Sequence, residues 1–184
     1  MDIDNRIIVL SAPSGTGKTT IVKTLMEKHS DLYFSVSTTT RKKRENEKDG
    51  VDYYFVSEDE FKKMVDNNDF IEWAVVHSNY YGTTKKEIER IINKGYCILD
   101  IDVQGLKNLI EIYPGLKSIF ILPPSIYELE KRLRNRGGMD EENIKLRLNN
   151  AKNEMKMIYL YKYFVINDNL DNAVKRIEEI IYEK

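Results

Sequence analysis

Apolar positions along the chain gather into short Val/Ile/Leu-rich runs of strand length at residues 6–10, 32–37, 96–102, 117–122 and 163–166. Between them lie longer stretches in which apolar residues recur at three- and four-residue spacing, the first opening at Lys18. This alternation predicts an α/β fold built on a parallel sheet flanked by helices, because parallel strands need helical crossovers to join them. Three helix starts are marked by a hydroxyl at the N-cap and a carboxylate three residues on: Ser57 with Glu60, Thr84 with Glu87, and Ser125 with Glu128. Gly95 is the expected C-cap of the second.

Two stretches interrupt the pattern. Residues 38–86 begin polar and are rich in Tyr, with a strand expected at 70–76 and a short helix from Ser57, which predicts an insertion carrying a small sheet of its own. Residues 125–161 read as mostly helical, with Arg132, Arg134, Arg136 and Arg147 around Gly137-Gly138, a composition suited to a movable helical hairpin. No internal repeat, low-complexity tract or linker separates them, so the chain reads as continuous.

Composition narrows the field by exclusion. The 184 residues carry 29 Lys plus Arg against 30 Asp plus Glu, a net charge of −1, with 41 % hydrophobic and 32 % charged residues. That balance is ordinary for a soluble globular chain and supplies no electrostatic reason to expect nucleic-acid or membrane partners. No apolar run approaches the length of a membrane span, and Asp2 and Asp4 ahead of the Ile7–Leu10 run do not form a signal peptide, so a cytoplasmic location is expected. Cys97 is the single cysteine, and with His29 and His77 as the only histidines there is neither an internal disulfide nor a zinc-type ligand set.

The first chemical signal is Ala12-Pro13-Ser14-Gly15-Thr16-Gly17-Lys18-Thr19, followed by Thr20. It stands between an apolar strand and an amphipathic helix, the context in which G-x-x-x-x-G-K-[ST] binds phosphate. Small residues let successive backbone N–H groups turn toward phosphate oxygens at a helix N-terminus. Lys18 would then reach the β- and γ-phosphates of a bound nucleotide, and the Thr19 hydroxyl would ligate a Mg2+ ion. Ala12 stands where the motif has Gly, which demands a negative φ or strain. A GTPase would carry an Asn-Lys-x-Asp stretch; Asn93-Lys94 runs into Gly95-Tyr96 instead.

Asp100 and Asp102 alternate with Ile101 at the end of the 96–102 run, so both carboxylates would project from one face at a strand's C-terminal end, where open α/β sheets bind ligands. Asp100 is the candidate for the magnesium or its water shell, and plain helix capping is the alternative for both. Arg41 and Arg44, three apart and beside the hydroxyls of Tyr53 and Tyr81, suit a dianionic monophosphate, with a solvated basic loop as the alternative.

The segment Phe34-Ser35-Val36-Ser37-Thr38-Thr39-Thr40-Arg41, with Arg44 and then Glu47-Lys48-Asp49-Gly50-Val51-Asp52-Tyr53, resembles the acceptor-binding region of guanylate kinases. Phe70-Ile71-Glu72-Trp73, Asn79–Thr83, Ile98–Gly105, Pro123-Pro124-Ser125 and Arg132–Gly137 are similar to further segments of that family, in order along nearly the whole chain. Lys43 and Asn46 depart from its usual Pro and Gly, and Thr83 stands where many relatives have Ser.

The resemblance implies a P-loop NTPase core (residues 1–36, 87–124 and 157–184), a GMP-binding insertion (37–86) and a lid (125–156). It implies transfer of the ATP γ-phosphoryl group to GMP, with dGMP as a further acceptor. In that reading Glu72 accepts both guanine donors, Ser37 and Thr83 contact the other edge of the base, and Asp102 is a further base-side acid. Arg132, Arg136 and Arg147 match the lid arginines that stabilise the transferring phosphoryl, although Glu128 could hold Arg132 in a surface ion pair. Asn167 resembles a position near the ATP adenine. Two rivals remain at this level: a guanylate-kinase-like binding module without catalysis, and a P-loop kinase for another phosphorylated acceptor. Whether the chain is a monomer or a homo-oligomer is left open.

Overall fold

The computed structural model describes residues 4–76, 78–101 and 103–183, with Gln104 described by its backbone alone. Five strands, β1 (Ile7–Ser11), β2 (Leu32–Phe34), β7 (Tyr96–Leu99), β8 (Lys117–Leu122) and β9 (Tyr163–Ile166), form a parallel sheet in the order β2-β7-β1-β8-β9. Alternation along β1 sends Ile8 and Leu10 to one face and Ile7 and Val9 to the other. The first face is covered by α1 (Lys18–Lys28) and α7 (Leu170–Tyr182), through Ile21, Leu25, Val174 and Ile177. The second is covered by α3 (Lys85–Ile92) and α4 (Val103–Ile112), through Ile88, Ile91, Leu106 and Leu109. Burial on both faces is why these strands read as continuous apolar runs. Because β7 and β8 flank β1 on opposite sides, the loop after β1 opens at a switch point, where such sheets leave a crevice.

A second, mixed sheet has the order β4-β3-β6-β5, from β3 (Thr38–Thr39), β4 (Tyr54–Phe55), β5 (Phe70–Val76) and β6 (Asn79–Thr84). One side rests on α2 (Glu58–Asp66), whose Phe61 stacks on Phe70 with centroids 4.4 Å apart and meets Tyr80 at 5.2 Å. The helical hairpin is α5 (Ile126–Asn135) and α6 (Glu141–Met155), sealed by Leu129, Leu133 and Ala151. Gly137 and Gly138 between them both have φ of 70°, a left-handed turn that side-chain-bearing residues resist.

The expected 32–37 strand divides. Ser35 N–H still donates to Ile98 O of the core sheet, but Val36 N–H donates to the buried Glu87 carboxylate, and pairing resumes at Thr38 in the second sheet. The 96–102 run likewise leaves the sheet after Leu99. Ser57 and Glu60 form a reciprocal capping box; Thr84 and Ser125 cap through their hydroxyls alone, because Glu87 turns to Val36 and Arg90, and Glu128 lies near Arg132. Gly95 is not the C-cap of α3, a place taken by Asn93 in right-handed conformation. Its smallness answers a contact instead: a Cβ there would lie 2.1 Å from the Asp31 carbonyl oxygen. Among the described residues, no helix is long and apolar enough to cross a membrane.

Candidate active site

A cavity of about 680 Å³ lies between the two sheets, lined from the core by Lys18 and Asp100 and from the second sheet by Ser37, Tyr53, Glu72 and Tyr81. Its core end is shaped by the glycine-rich loop. Gly15 and Gly17 adopt φ of 92° and 103°, and Gly17 is the N-cap of α1, where no side chain caps the first turn. The leading N–H groups of α1 are thereby left for an anion. Ala12 keeps a negative φ and packs against the core, so the missing first glycine costs no left-handed strain here.

Both glycines are also required by their neighbours. A Cβ on Gly15 would lie 2.8 Å from Leu133 Cδ2 of α5, and one on Gly17 would lie 2.6 Å from Asn167 Nδ2. Asn167 is buried after β9 and donates from Nδ2 to Thr16 O at 2.7 Å. Arg132 donates from its two Nη atoms to Thr16 O at 3.1 Å and Asn167 O at 3.0 Å, and Arg147 donates to Ser14 Oγ. Two of the arginines singled out in the helical hairpin thus meet the loop. Arg136, the exposed C-cap of α5, stands apart, and Arg134 is engaged by Glu130 and Glu141. Thr19 and Thr20 are exposed on the first turn of α1, and Lys18 Nζ is ion-paired with Asp100.

At the other end Glu72, on β5, is only 7 % exposed. Its neighbour in register on β6 is Thr83, whose hydroxyl is buried without a protein partner among the described residues. Gly105 in α4 is what admits the carboxylate, since a Cβ there would lie 2.8 Å from Glu72 Oε2. Asp102 lies outside the described residues.

Arg41 is held over the Tyr53 ring, 5.3 Å from its centroid, and Tyr53 meets Tyr81 edge-on at 6.0 Å. Glu47 fixes this corner: it accepts from Arg41 Nη2 at 2.7 Å and from Arg44 N–H at 2.9 Å. The Arg41 hydrogen bond holds the Glu47 carboxyl below the ordinary carboxylate range, and the same contact raises Arg41. Burial, then the Asp100 charge, push the Tyr53 phenol up. The Arg44 side chain is exposed, and neither it nor Arg41 lines the cavity; Arg41 meets it only through the Tyr53 ring. Ser35, Glu47 and Gly105 stand inside the quoted segments without a role assigned to them, and the wall residues Phe120, Met157 and Tyr161 carry no motif signal; an acid three residues after Arg44 in a basic run is the available signal for Glu47.

A model of the guanylate kinase family matches residues 4–184. This chain belongs to that family. Guanylate kinases of Rickettsia felis and Clostridium perfringens are 47 % and 46 % identical to it, over 98 % and 97 % of this chain and 96 % and 84 % of theirs. A crystal structure of guanylate kinase from Anaplasma phagocytophilum superposes with a TM-score of 0.75 at 37 % identity, covering 95 % of this chain and 83 % of that one. Guanylate kinase membership accords with the parallel five-stranded sheet and its flanking helices. The departures from the family pattern noted above do not fall at Lys18, Glu72, Arg41, Tyr53 or Tyr81.

Proposed function

We propose that this chain is a cytoplasmic enzyme that transfers the γ-phosphoryl group of ATP to GMP, giving ADP and GDP, with dGMP as a further acceptor. The observation that carries the reading is the cavity itself, bounded at one end by Lys18 and Asp100 and at the other by the buried carboxylate Glu72 with Tyr53 and Tyr81. Residues 1–36, 87–124 and 157–184 act as the core, 37–86 as the acceptor insertion and 125–156 as the lid.

In this reading Ala12–Thr20 is the phosphate-binding loop. Its backbone N–H groups cradle the ATP phosphates, Lys18 exchanges Asp100 for the β- and γ-oxygens, and Asn167 orders the loop near the adenine. The Thr19 hydroxyl and the Asp100 carboxylate, both hard oxygen donors, are the groups that would hold a Mg2+ ion or its water shell. When bound, that ion neutralises charge on the β- and γ-oxygens. Glu72 accepts from guanine N1–H and the exocyclic amine, where adenine would present a lone pair to the carboxylate. Ser37, Thr83 and Asp102 complete the base subsite, and Arg41, Tyr53 and Tyr81 bind the acceptor phosphate, with Arg44 brought in on closure.

An oxygen of the GMP phosphate forms the new bond to Pγ as the Pγ–O bond to ADP breaks. That oxygen is already ionised near neutral pH, so no general base is required. Arg132 and Arg147, with Arg136 brought in on closure, stabilise charge on the transferring group. Closure of lid and insertion excludes water.

The test is ADP formation from Mg-ATP with GMP, dGMP, AMP, CMP or UMP, with Lys18→Ala and Glu72→Gln in parallel. Turnover with GMP is expected, abolished in the Lys18 variant and weakened selectively for guanine in the Glu72 variant. A folded wild-type protein that binds GMP without turnover would refute the enzyme reading in favour of a binding module.

A further inference from the structure

Ser35 lines the same cavity yet has no part in the reading above. It follows the last residue of β2 and is 2 % exposed, and its Oγ has no hydrogen-bond partner among the described residues. A buried hydroxyl left unpaired carries a desolvation cost that folded proteins rarely tolerate without a use.

The backbone is pinned on both sides, so no shift of the chain carries that hydroxyl out to solvent. Ser35 N–H donates to Ile98 O at 2.9 Å, Val36 N–H donates to Glu87 Oε1 at 3.0 Å, and Ser37 O accepts from Tyr54 N–H at 2.9 Å. Glu87 is buried and is itself clamped by Arg90, through Nε at 2.9 Å and Nη2 at 2.8 Å. The crossing from the core sheet to the second sheet is therefore rigid at the residue whose hydroxyl is unpaired, and the cavity is where a partner can come from.

We infer that Ser35 is a further acceptor-binding residue, whose hydroxyl hydrogen-bonds the GMP that occupies this cavity. The inference rests on the proposed activity. It differs from a structural role in one physical respect: the hydroxyl is unpaired in the protein alone and paired in the complex. Removing it should relieve the free protein of a buried unsatisfied group while withdrawing a hydrogen bond from the nucleotide, so stability and affinity move in opposite directions.

The experiment compares wild type with Ser35→Ala, reading the urea midpoint without nucleotide, the affinity for GMP by calorimetry, and the KM for GMP and for ATP. We expect an unchanged or higher urea midpoint, an unchanged KM for ATP, and GMP affinity and KM weakened by about 3- to 10-fold, the range of a single net hydrogen bond. Unchanged GMP affinity overturns the inference, and so does a lower urea midpoint accompanied by weakening toward both nucleotides. A wild-type protein that binds GMP without phosphorylating it refutes the activity alone, and the calorimetric comparison still decides the role of Ser35. A wild type that neither binds nor phosphorylates GMP overturns both.

Discussion

Lys18 Nζ and the Asp100 carboxylate, 82 positions apart in the chain, form an ion pair at the core end of the cavity. One comes from the first turn of α1 and the other from just beyond β7, so the pair spans the crevice where the loop after β1 opens. The cation proposed for the ATP phosphates and the acid proposed for the magnesium shell thus hold each other, and nucleotide binding must exchange both partners. Asp100→Asn should lower kcat by about 10²-fold or more, as loss of a charged group aimed at the phosphoryl centre does. Its urea midpoint should move little, because a partly exposed pair contributes only about 0–1 kcal/mol. Initial rates at saturating ATP and GMP, beside a urea titration, check both expectations.

In the proposed reading Glu47 acts on the acceptor phosphate through Arg41. Glu47→Gln removes the negative charge and one of two acceptor oxygens, so the side chain no longer accepts from both Arg41 Nη2 and Arg44 N–H, and the guanidinium is held less firmly over Tyr53. The KM for GMP should rise about 10-fold, the range for a charged hydrogen bond, while the KM for ATP stays constant. A rise in both would contradict a role confined to the acceptor corner.

Gly17→Ala should disable the loop. A side chain at φ of 103° is strained by about 1–2 kcal/mol, and its Cβ would meet Asn167 Nδ2 at 2.6 Å, displacing the group that ties Thr16. ATP affinity, measured by titration, should fall at least 10-fold, about what the loss of one charged phosphate contact costs. The parallel sheet should persist by far-ultraviolet circular dichroism.

Glu87 introduces an acid-side limit to stability. Burial pushes its carboxyl up, but the Arg90 guanidinium and the Val36 N–H together outweigh burial and hold it below its ordinary value. A carboxyl lowered on folding stabilises the native state above its unfolded value, about 4.3, and that contribution is lost as pH falls through the folded value. Glu87→Gln should therefore be less stable than wild type at pH 7, and the two should converge below pH 4. Urea midpoints across that window test the sign; a constant difference at all pH values would contradict it.

Local pattern made much of this legible. The strand, loop and helix around Lys18 are contiguous, and the cradle of N–H groups depends on Gly15 and Gly17 adopting positive φ, a property of glycine itself. The caps at Ser57, Thr84 and Ser125 are local for the same reason, and only the second half of each box, which depended on where Glu87 and Glu128 would find partners, was open to competition. Gly95 shows the limit of such reading: a glycine after a helix suggests a C-cap, and only the approach of Asp31 reveals why it is small.

What the sequence by itself determined is the set of elements and the chemical types offered at each: a glycine-rich turn with Lys18, a basic run with Tyr53 nearby, an acid beside Trp73. Periodicity and turn chemistry act over a few residues, so they survive without knowledge of the fold. Tertiary structure decided which of these groups meet. Glu72 is buried because Gly105 of another element leaves it room, Arg41 is aimed because Glu47 folds back on it, Arg132 reaches Thr16 while Arg136 stays in solvent, and the Ser35 hydroxyl is left unpaired where Ile98 and Glu87 hold the backbone between the two sheets. Burial and pairing depend on contacts between distant segments, and no local pattern records them.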